Sequence, residues 1–391
     1  MNTTVMAPAW RDNKRYLWPL GGLIMLLVPI AGVIYGATGW GWAWWLGPIV
    51  VYGLIPLADL LIGTDTNNPP EERVPSLEQE RYYRWAVYFA VACEYVSVIW
   101  GAWMAADGHL PWYDVLGLAL TIAMVTGVSI NTGHELGHKT DKLEQWLAKI
   151  ALAPTAYGHF FVEHNRGHHV RVATPEDPAS SRFGESFWAF LPRTMIGSLK
   201  SSWEIEAARL RRNGKPVWSI HNNNLNAWAM TVVLFGGLAL WLGWQVLPFL
   251  LLQAFVGASL LEVVNYLEHY GLCREKRADG KYERCQPRHS WNSNHIVTNV
   301  FLYQLQRHSD HHANPTRSYQ SLRHFDEAPQ LPTGYAGMIL LAYMTPLWFK
   351  IMNPRVVAHY GGDMSRANIK PSIRKSVIER YAPQRRGEAA Q

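Results

Sequence analysis

An all-α, polytopic membrane protein with six transmembrane helices is what this sequence predicts, and three observations predict it. The apolar residues are blocked rather than alternating: Tyr16 to Ala58 is 43 residues without Asp, Glu, Lys or Arg, and Pro216 to Leu261 is 46. Each block holds two stretches of about 20 residues, the length a helix needs to cross a bilayer core. Only 17% of the 391 residues are charged while 13% are aromatic, against about a quarter charged in soluble domains. Finally, the 36 Lys and Arg all fall on one side of the spans. These features exclude an ordinary soluble enzyme, a disordered chain and a nucleic-acid-binding domain. The near-zero mean hydropathy of −0.09 says that a large polar part accompanies the spans.

The spans fall at 16–37, 41–63, 83–106, 112–133, 226–244 and 247–267. They pair through short turns, Gly36 to Trp40, Ala105 to Pro111 and Gly243 to Pro248, and none of these turns carries Lys or Arg. By the positive-inside rule both termini and the long segments 134–225 and 268–391 are then cytoplasmic. The first apolar run has no small-residue cleavage site after it and reads as a retained helix. Residues 328–349 form a seventh uncharged stretch, but Pro329, Pro332 and Pro346 interrupt it, and proline inside a helix removes a hydrogen bond and clashes with the preceding turn. It is expected to lie at the interface or against the cytoplasmic part. The tail from Gly361, with Arg374, Lys375, Arg385 and Arg386, reads as a solvated end near anionic lipid. The chain thus makes one integral membrane domain over 1–391.

Cys93, Cys273 and Cys285 form no CxxC pair and cannot build a disulfide framework. The histidines carry the chemistry. Of 16, nine fall into four tight groups. N-T-G-H-E-L-G-H-K holds His134 and His138 where span four ends, and i, i+4 spacing puts both imidazoles on one helix face. E-H-N-R-G-H-H holds His164, His168 and His169. N-Y-L-E-H-Y-G-L ends span six with His269. L-Q-R-H-S-D-H-H-A-N-P holds His308, His311 and His312.

Neutral imidazole is the commonest protein ligand for iron, zinc and copper. Nine ligands are too many for one metal and divide into about four and five over two, leaving positions for oxygen. No carboxylate is required, unlike the Glu-x-x-His bundles of soluble di-iron proteins. Glu135, Glu163, Glu268 and Asp310 stand beside the histidines and are expected to orient an imidazole through its other nitrogen. Asn265 and Glu262 share a helix face with His269; Glu262 either hydrogen-bonds a ligating histidine or pairs with a neighbouring helix. An ionisable group inside a span is a functional candidate by default.

At these residues the sequence resembles the membrane-bound alkane 1-monooxygenase family. All four motifs stand in the family's order, and the resemblance runs from Asn131 to Pro315 within a six-span layout. Membrane fatty-acid desaturases share the HxxxH and HxxHH pattern but not the N-Y-L-E-H-Y-G block. The resemblance implies a non-haem di-iron enzyme of the bacterial inner membrane that inserts one atom of O₂ into a terminal methyl group of a medium-chain n-alkane. It implies that His134, His138, His164, His168, His169, His269, His308, His311 and His312 bind two iron ions. It further implies electrons from rubredoxin, reduced by an NAD(P)H-dependent rubredoxin reductase. Rubredoxin needs paired CxxC motifs, and with none here the donor is expected to be a separate protein or a fused part lost from this sequence.

An alkane has no polar handle, so its binding must come from burial of methylenes, at about 0.8 kcal/mol each. The substrate is expected to pass from membrane lipid into an apolar tube between the spans, with Trp40, Trp42, Trp44, Trp45 and Tyr52 setting its length. Arg209, Arg211, Arg212 and Lys215 are candidates to steer an acidic carrier. The runners-up are a xylene-type aromatic methyl monooxygenase and a lipid desaturase. A rival of another class exists: H-E-L-G-H also fits the HExxH helix of zinc proteases, with Glu135 as general base.

Overall fold

The computed structural model describes residues 10–382; Arg385 and Arg386 lie outside them. Among the described residues the chain is helical, and its β features are four isolated bridges. Six helices among the described residues are long and apolar enough to cross a membrane: Arg15–Thr38, Gly41–Ile62, Arg81–Ala106, Trp112–Gly137, Asn223–Leu242 and Trp244–His269. The third, fourth and sixth extend beyond the apolar runs into polar sequence, and this is how spans four and six come to carry His134 and His269.

Local sequence explains where the helices begin and where they distort. Asn222 caps span five by accepting from Asn224 N and Leu225 N at 2.9 and 3.3 Å, and Asp141 caps the Lys142–Leu152 helix in the same way. Such side-chain oxygens satisfy backbone N–H groups that have no partner in the first turn. Span two opens as a 3₁₀ turn (Gly41–Trp45) and widens to a π turn at Val50–Leu54. Pro56 follows directly, and its missing N–H removes an i→i−4 bond from that part of the helix.

Spans four and six pack along each other more extensively than any other pair of elements, and glycine permits it. A Cβ on Gly127 would stand 2.9 Å from Gly257 O, and one on Gly257 would stand 2.8 Å from Thr126 Oγ1. Close approach at small residues is the usual device for helices that lack a hydrophobic drive to associate in lipid. The pair is then locked by Gln253, which accepts from Thr126 Oγ1 at 3.0 Å and donates to Pro154 O at 2.7 Å. These two spans form the axis around which the histidine segments assemble.

The seventh apolar stretch is broken at Met344 into the helices Tyr335–Tyr343 and Thr345–His359. Tyr335, Met338, Ile339 and Ala342 are buried in the largest core cluster, with Val263, Val264 and Leu267 of span six. The same cluster holds Phe187, Trp291 and Leu305, so the stretch packs against both the spans and the segments that carry the histidines.

Replacing Gly257 with Val should force spans four and six apart. The expected cost is about 1–3 kcal/mol, seen as a lower unfolding midpoint of the detergent-solubilised protein; an unchanged midpoint would show that the contact is not tight.

Candidate metal centre

The nine histidines come together from four segments into two groups. His134, His138, His164, His169 and His311 form one; His168, His269, His308 and His312 form the other; within each, the potential ligand atoms lie within 4.8 Å of one another. The groups abut, with the rings of His169 and His312 4.4 Å apart between centroids.

Helix geometry produces this division. Successive residues of a helix point about 100° apart, so an HH doublet cannot aim both imidazoles at one point. His308 and His312, four apart on the His308–Ala313 helix, bring Nε2 atoms to 2.8 Å in the second group. His311 turns away to meet His134 Nε2 at 2.9 Å in the first. The other doublet lies on a helix that widens to a π turn at His164–His168, where His169 N–H donates to His164 O, five residues back. That register brings His164 edge-on to His169, Nε2 to Nε2 at 3.0 Å, and sends His168 to the other group. A Cβ on Gly167 would sit 2.5 Å from Glu163 Oε1, so a larger residue there would have to displace the carboxylate that holds Arg171. Such π turns occur mostly at functional sites.

The electrostatics suit a cation. Eight of the nine side chains are buried and His169 is half-buried. Burial, reinforced by neighbouring imidazoles, pushes His138, His164, His169, His308, His311 and His312 well below the ordinary histidine range. Neutral imidazoles expose lone pairs, and here the lone pairs converge: His169 Nε2 is also 3.0 Å from His311 Nε2, and His308 Nε2 is 3.2 Å from His269 Nε2. His138 Nε2 and His168 Nε2 are buried with no protein partner. Facing nitrogen donors and buried orphans are what a bound metal ion satisfies, so the donor set fits metal at both groups.

The acids beside the histidines are placed differently from one another. Glu268 approaches the second group, with Oε2 3.2 Å from His308 Nε2, while its Oε1 has no partner. Glu135 instead pairs with Lys139 at 2.9 Å and accepts from Tyr319 N–H. Glu163 holds Arg171 at 2.7 Å. Asp310 accepts from Asn314, Arg317 and the Arg323 backbone. Glu262 accepts from Tyr157, Thr194 and Asn265, fastening span six to its neighbours rather than touching an imidazole. With its carboxylate turned to Lys139, Glu135 is not positioned as the general base that the HExxH protease alternative requires.

The carboxylate that does orient a histidine is one that motif reasoning passed over. Asp177 Oδ2 lies 2.9 Å from His168 Nδ1 and also accepts from Ser180. Burial alone would raise this carboxyl, but His168 and Ser180 bring it down to about 2. Carboxylate–histidine pairs of this kind fix the ring and strengthen its ligating nitrogen. Asp177 sits in a loop between Pro175 and Pro178, nine residues after His168; no helical spacing links the two. His269 Nδ1 similarly meets His289 O, at 3.3 Å.

An apolar cavity lies between the spans, lined by residues that include Ile24, Val51, Ile55, Leu260, Val264 and Ile339. Asn131, which precedes His134 by one turn, and Leu305, three residues before His308, line it too. Its polar lining is Asn131 and Thr298, and both are engaged, Asn131 Nδ2 with Leu302 O at 2.7 Å and Thr298 with Asp59. Trp40, Trp42, Trp44, Trp45 and Tyr52 are not among the lining residues. Trp40 and Trp42 are exposed, Trp44 packs on Tyr35, and Tyr52 pairs with Tyr343.

Six apolar spans and two imidazole groups at their ends define a multi-pass membrane protein of the fatty acid desaturase type, and the family model described as fatty acid desaturase matches residues 110–342. Over 377 residues the chain is 48% identical to the alkane 1-monooxygenase of Pseudomonas putida, covering 96% of this chain and 93% of that protein. It is 47% identical over 382 residues to the alkane 1-monooxygenase of Acinetobacter baylyi, covering 95% and 91%. A more distant relative, at 28% over 244 residues, is the xylene/toluene monooxygenase hydroxylase component of Pseudomonas putida, with 61% and 63% covered. The chain belongs to the alkane 1-monooxygenase family. Family membership and the donor set together fit a non-haem iron centre.

Two measurements follow from the geometry. Asp177→Asn should weaken metal affinity about 10–100-fold, whereas Asp310→Asn, which reaches the imidazoles only through Arg317 and Arg323, should weaken it less; equal effects would remove Asp177 from its orienting role. The metal-free chain should also lose stability as pH falls below about 6.5, because the unfolded imidazoles bind protons that the buried ones refuse. Denaturation midpoints at pH 8 and pH 5.5, taken after chelation, test the sign.

Proposed function

We propose that this chain is a rubredoxin-dependent alkane 1-monooxygenase, converting medium-chain n-alkanes to 1-alcohols at a di-iron centre held by the nine histidines. The observation that carries this is the apolar cavity between the spans, whose lining meets the segments that bear His134 and His308. A cavity with only two polar side chains in its lining, each already holding a hydrogen bond, offers little to a polar substrate. It favours a molecule bound by methylene burial alone, at about 0.8 kcal/mol per CH₂. Identity near one half to alkane 1-monooxygenases over almost the whole chain supports the same substrate class.

His134, His138, His164, His169 and His311 would hold one iron, and His168, His269, His308 and His312 the other. Bound there, the iron pair supplies the activation of O₂. The protein's own contribution is position. The lining of Val264, Leu305 and Asn131 holds the chain end beside the histidines, while Ile24, Val51 and Leu260 enclose the remainder. Selectivity for the terminal carbon is geometric, because a primary C–H bond is not the weakest on the chain. The network of Asp177, Ser180 and the His289 carbonyl keeps His168 and His269 in fixed orientations.

The alkane comes from membrane lipid, and electrons come from rubredoxin and its NAD(P)H-dependent reductase. The chain sits in the bacterial inner membrane with both termini and the histidine segments cytoplasmic. The distribution of all 36 Lys and Arg on one side of the spans supports that orientation.

The detergent-purified chain is expected to contain about two irons and to form 1-octanol from octane with rubredoxin, its reductase, NADH and O₂. One zinc and no alcohol would overturn the assignment. Product preference among octane, xylene and an acyl lipid separates it from the aromatic and desaturase alternatives. His168→Ala or His312→Ala should abolish hydroxylation and lower iron content without preventing membrane insertion. Val51→Phe should shift preference to shorter alkanes and Val51→Ala to longer ones, read as the distribution of alcohols from a mixed-alkane assay.

A further inference from the structure

Two surface clefts are lined by basic residues from the segments that carry the histidines. One presents Arg166, Arg209 and Arg212 beside Glu204, but Glu206 holds Arg166 at 2.8 Å and Arg209 at 2.6 Å. The other, of about 710 Å³, is lined by Arg182, Arg274, Lys276, Arg366 and Arg374, with Glu275 as its carboxylate. Glu275 is already paired with Arg366. Among the described residues, the other four cations have no carboxylate within ion-pairing distance. Glu283 stands nearby but is taken by Arg288 at 2.7 Å. Cys273 shows how tightly the charges gather: burial pushes its thiol up to about 11, against the opposing pull of Arg374, Arg274 and Lys276 together.

The walls of this cleft connect directly to the histidines. Arg274 donates its backbone N–H to Ala173 O and Nη2 to Val170 O, both at 2.7 Å, binding the wall to the segment that follows His169. Pro175, part of the lining, is two residues from Asp177, whose carboxylate meets His168 Nδ1 at 2.9 Å. Cys273, also part of the lining, follows His269 by four residues. His168 and His269 both belong to the four-histidine group.

We propose that the cleft between Arg182 and Arg374 is the docking surface for an acidic one-electron carrier, with the four-histidine group as the nearer destination of its electrons. This rests on the monooxygenase reading above. Each hydroxylation consumes one alkane, one O₂, two electrons and two protons, and yields one alcohol and one water. Two reduced carriers must therefore dock in succession, each losing one electron. Uncompensated positive charge in a concave surface raises the encounter rate of an acidic partner and rejects basic ones.

The test uses the iron-loaded full chain in detergent and zinc-substituted rubredoxin, which binds without transferring electrons. The double variant Lys276→Glu with Arg374→Glu should weaken binding roughly tenfold or more and flatten its dependence on salt. With native rubredoxin, KM should rise while kcat at saturating carrier is retained. Lys276→Arg should bind as the unmodified chain does, and so should Arg212→Glu in the first cleft. If the double variant loses iron, the exposed single change Lys276→Glu gives the same comparison. Unchanged affinity in the cleft variants, or weakening confined to Arg212→Glu, overturns the docking site while leaving the monooxygenase reading intact. An unmodified chain that neither binds zinc-rubredoxin nor turns over octane overturns both.

Discussion

The crowding of nine buried imidazoles is the constraint on which the rest of the structure depends. With Nε2 atoms as close as 2.8 Å, each neutral ring has only one N–H to share among several neighbouring nitrogens, and charging the rings would bury like charges side by side. A folded chain brings them together only if other interactions hold the four segments in place. That work falls to the span four and six interface, to Glu262 with its three donors, and to Asp310 with Arg317 and Arg323. Several acids beside the histidines thus secure the segments that carry the imidazoles rather than the imidazoles themselves.

Viewed this way, spans four and six are as much a scaffold as a membrane anchor. Glycine contact at Gly127 and Gly257 brings their histidine-bearing halves together, and His134 and His269 enter different groups from the two helices. The cavity occupies the space beside the same interface. Membrane crossing, substrate burial and ligand placement therefore share one set of contacts. A change in the tilt of either span would reach all three.

Much of this was legible in the sequence, for physical reasons. Runs without charge reveal spans because the bilayer imposes a length and a composition on every residue of a crossing helix. The histidines were legible because i, i+4 spacings on helices translate directly into shared faces, as in His134 with His138 and His308 with His312. Which acid meets which imidazole was not legible, since that depends on tertiary approach rather than on sequence neighbours. Glu135 is adjacent to His134 and bonds Lys139; Asp177 is nine residues from His168 and bonds its ring. The π turn at His164–His168 was likewise hidden, and it places His164 and His168, four apart, in different groups. The tryptophans of span two misled for a related reason: aromatic richness marks a membrane boundary as readily as it marks a cavity wall.

The splitting of both HH doublets has a consequence for how the centre is assembled. His168 and His169 share a peptide bond, as do His311 and His312, yet each pair reaches into two different sites. Any shift that moves His169 or His311 in the five-histidine group therefore carries His168 or His312 of the other group with it, so neither group is built independently of its neighbour.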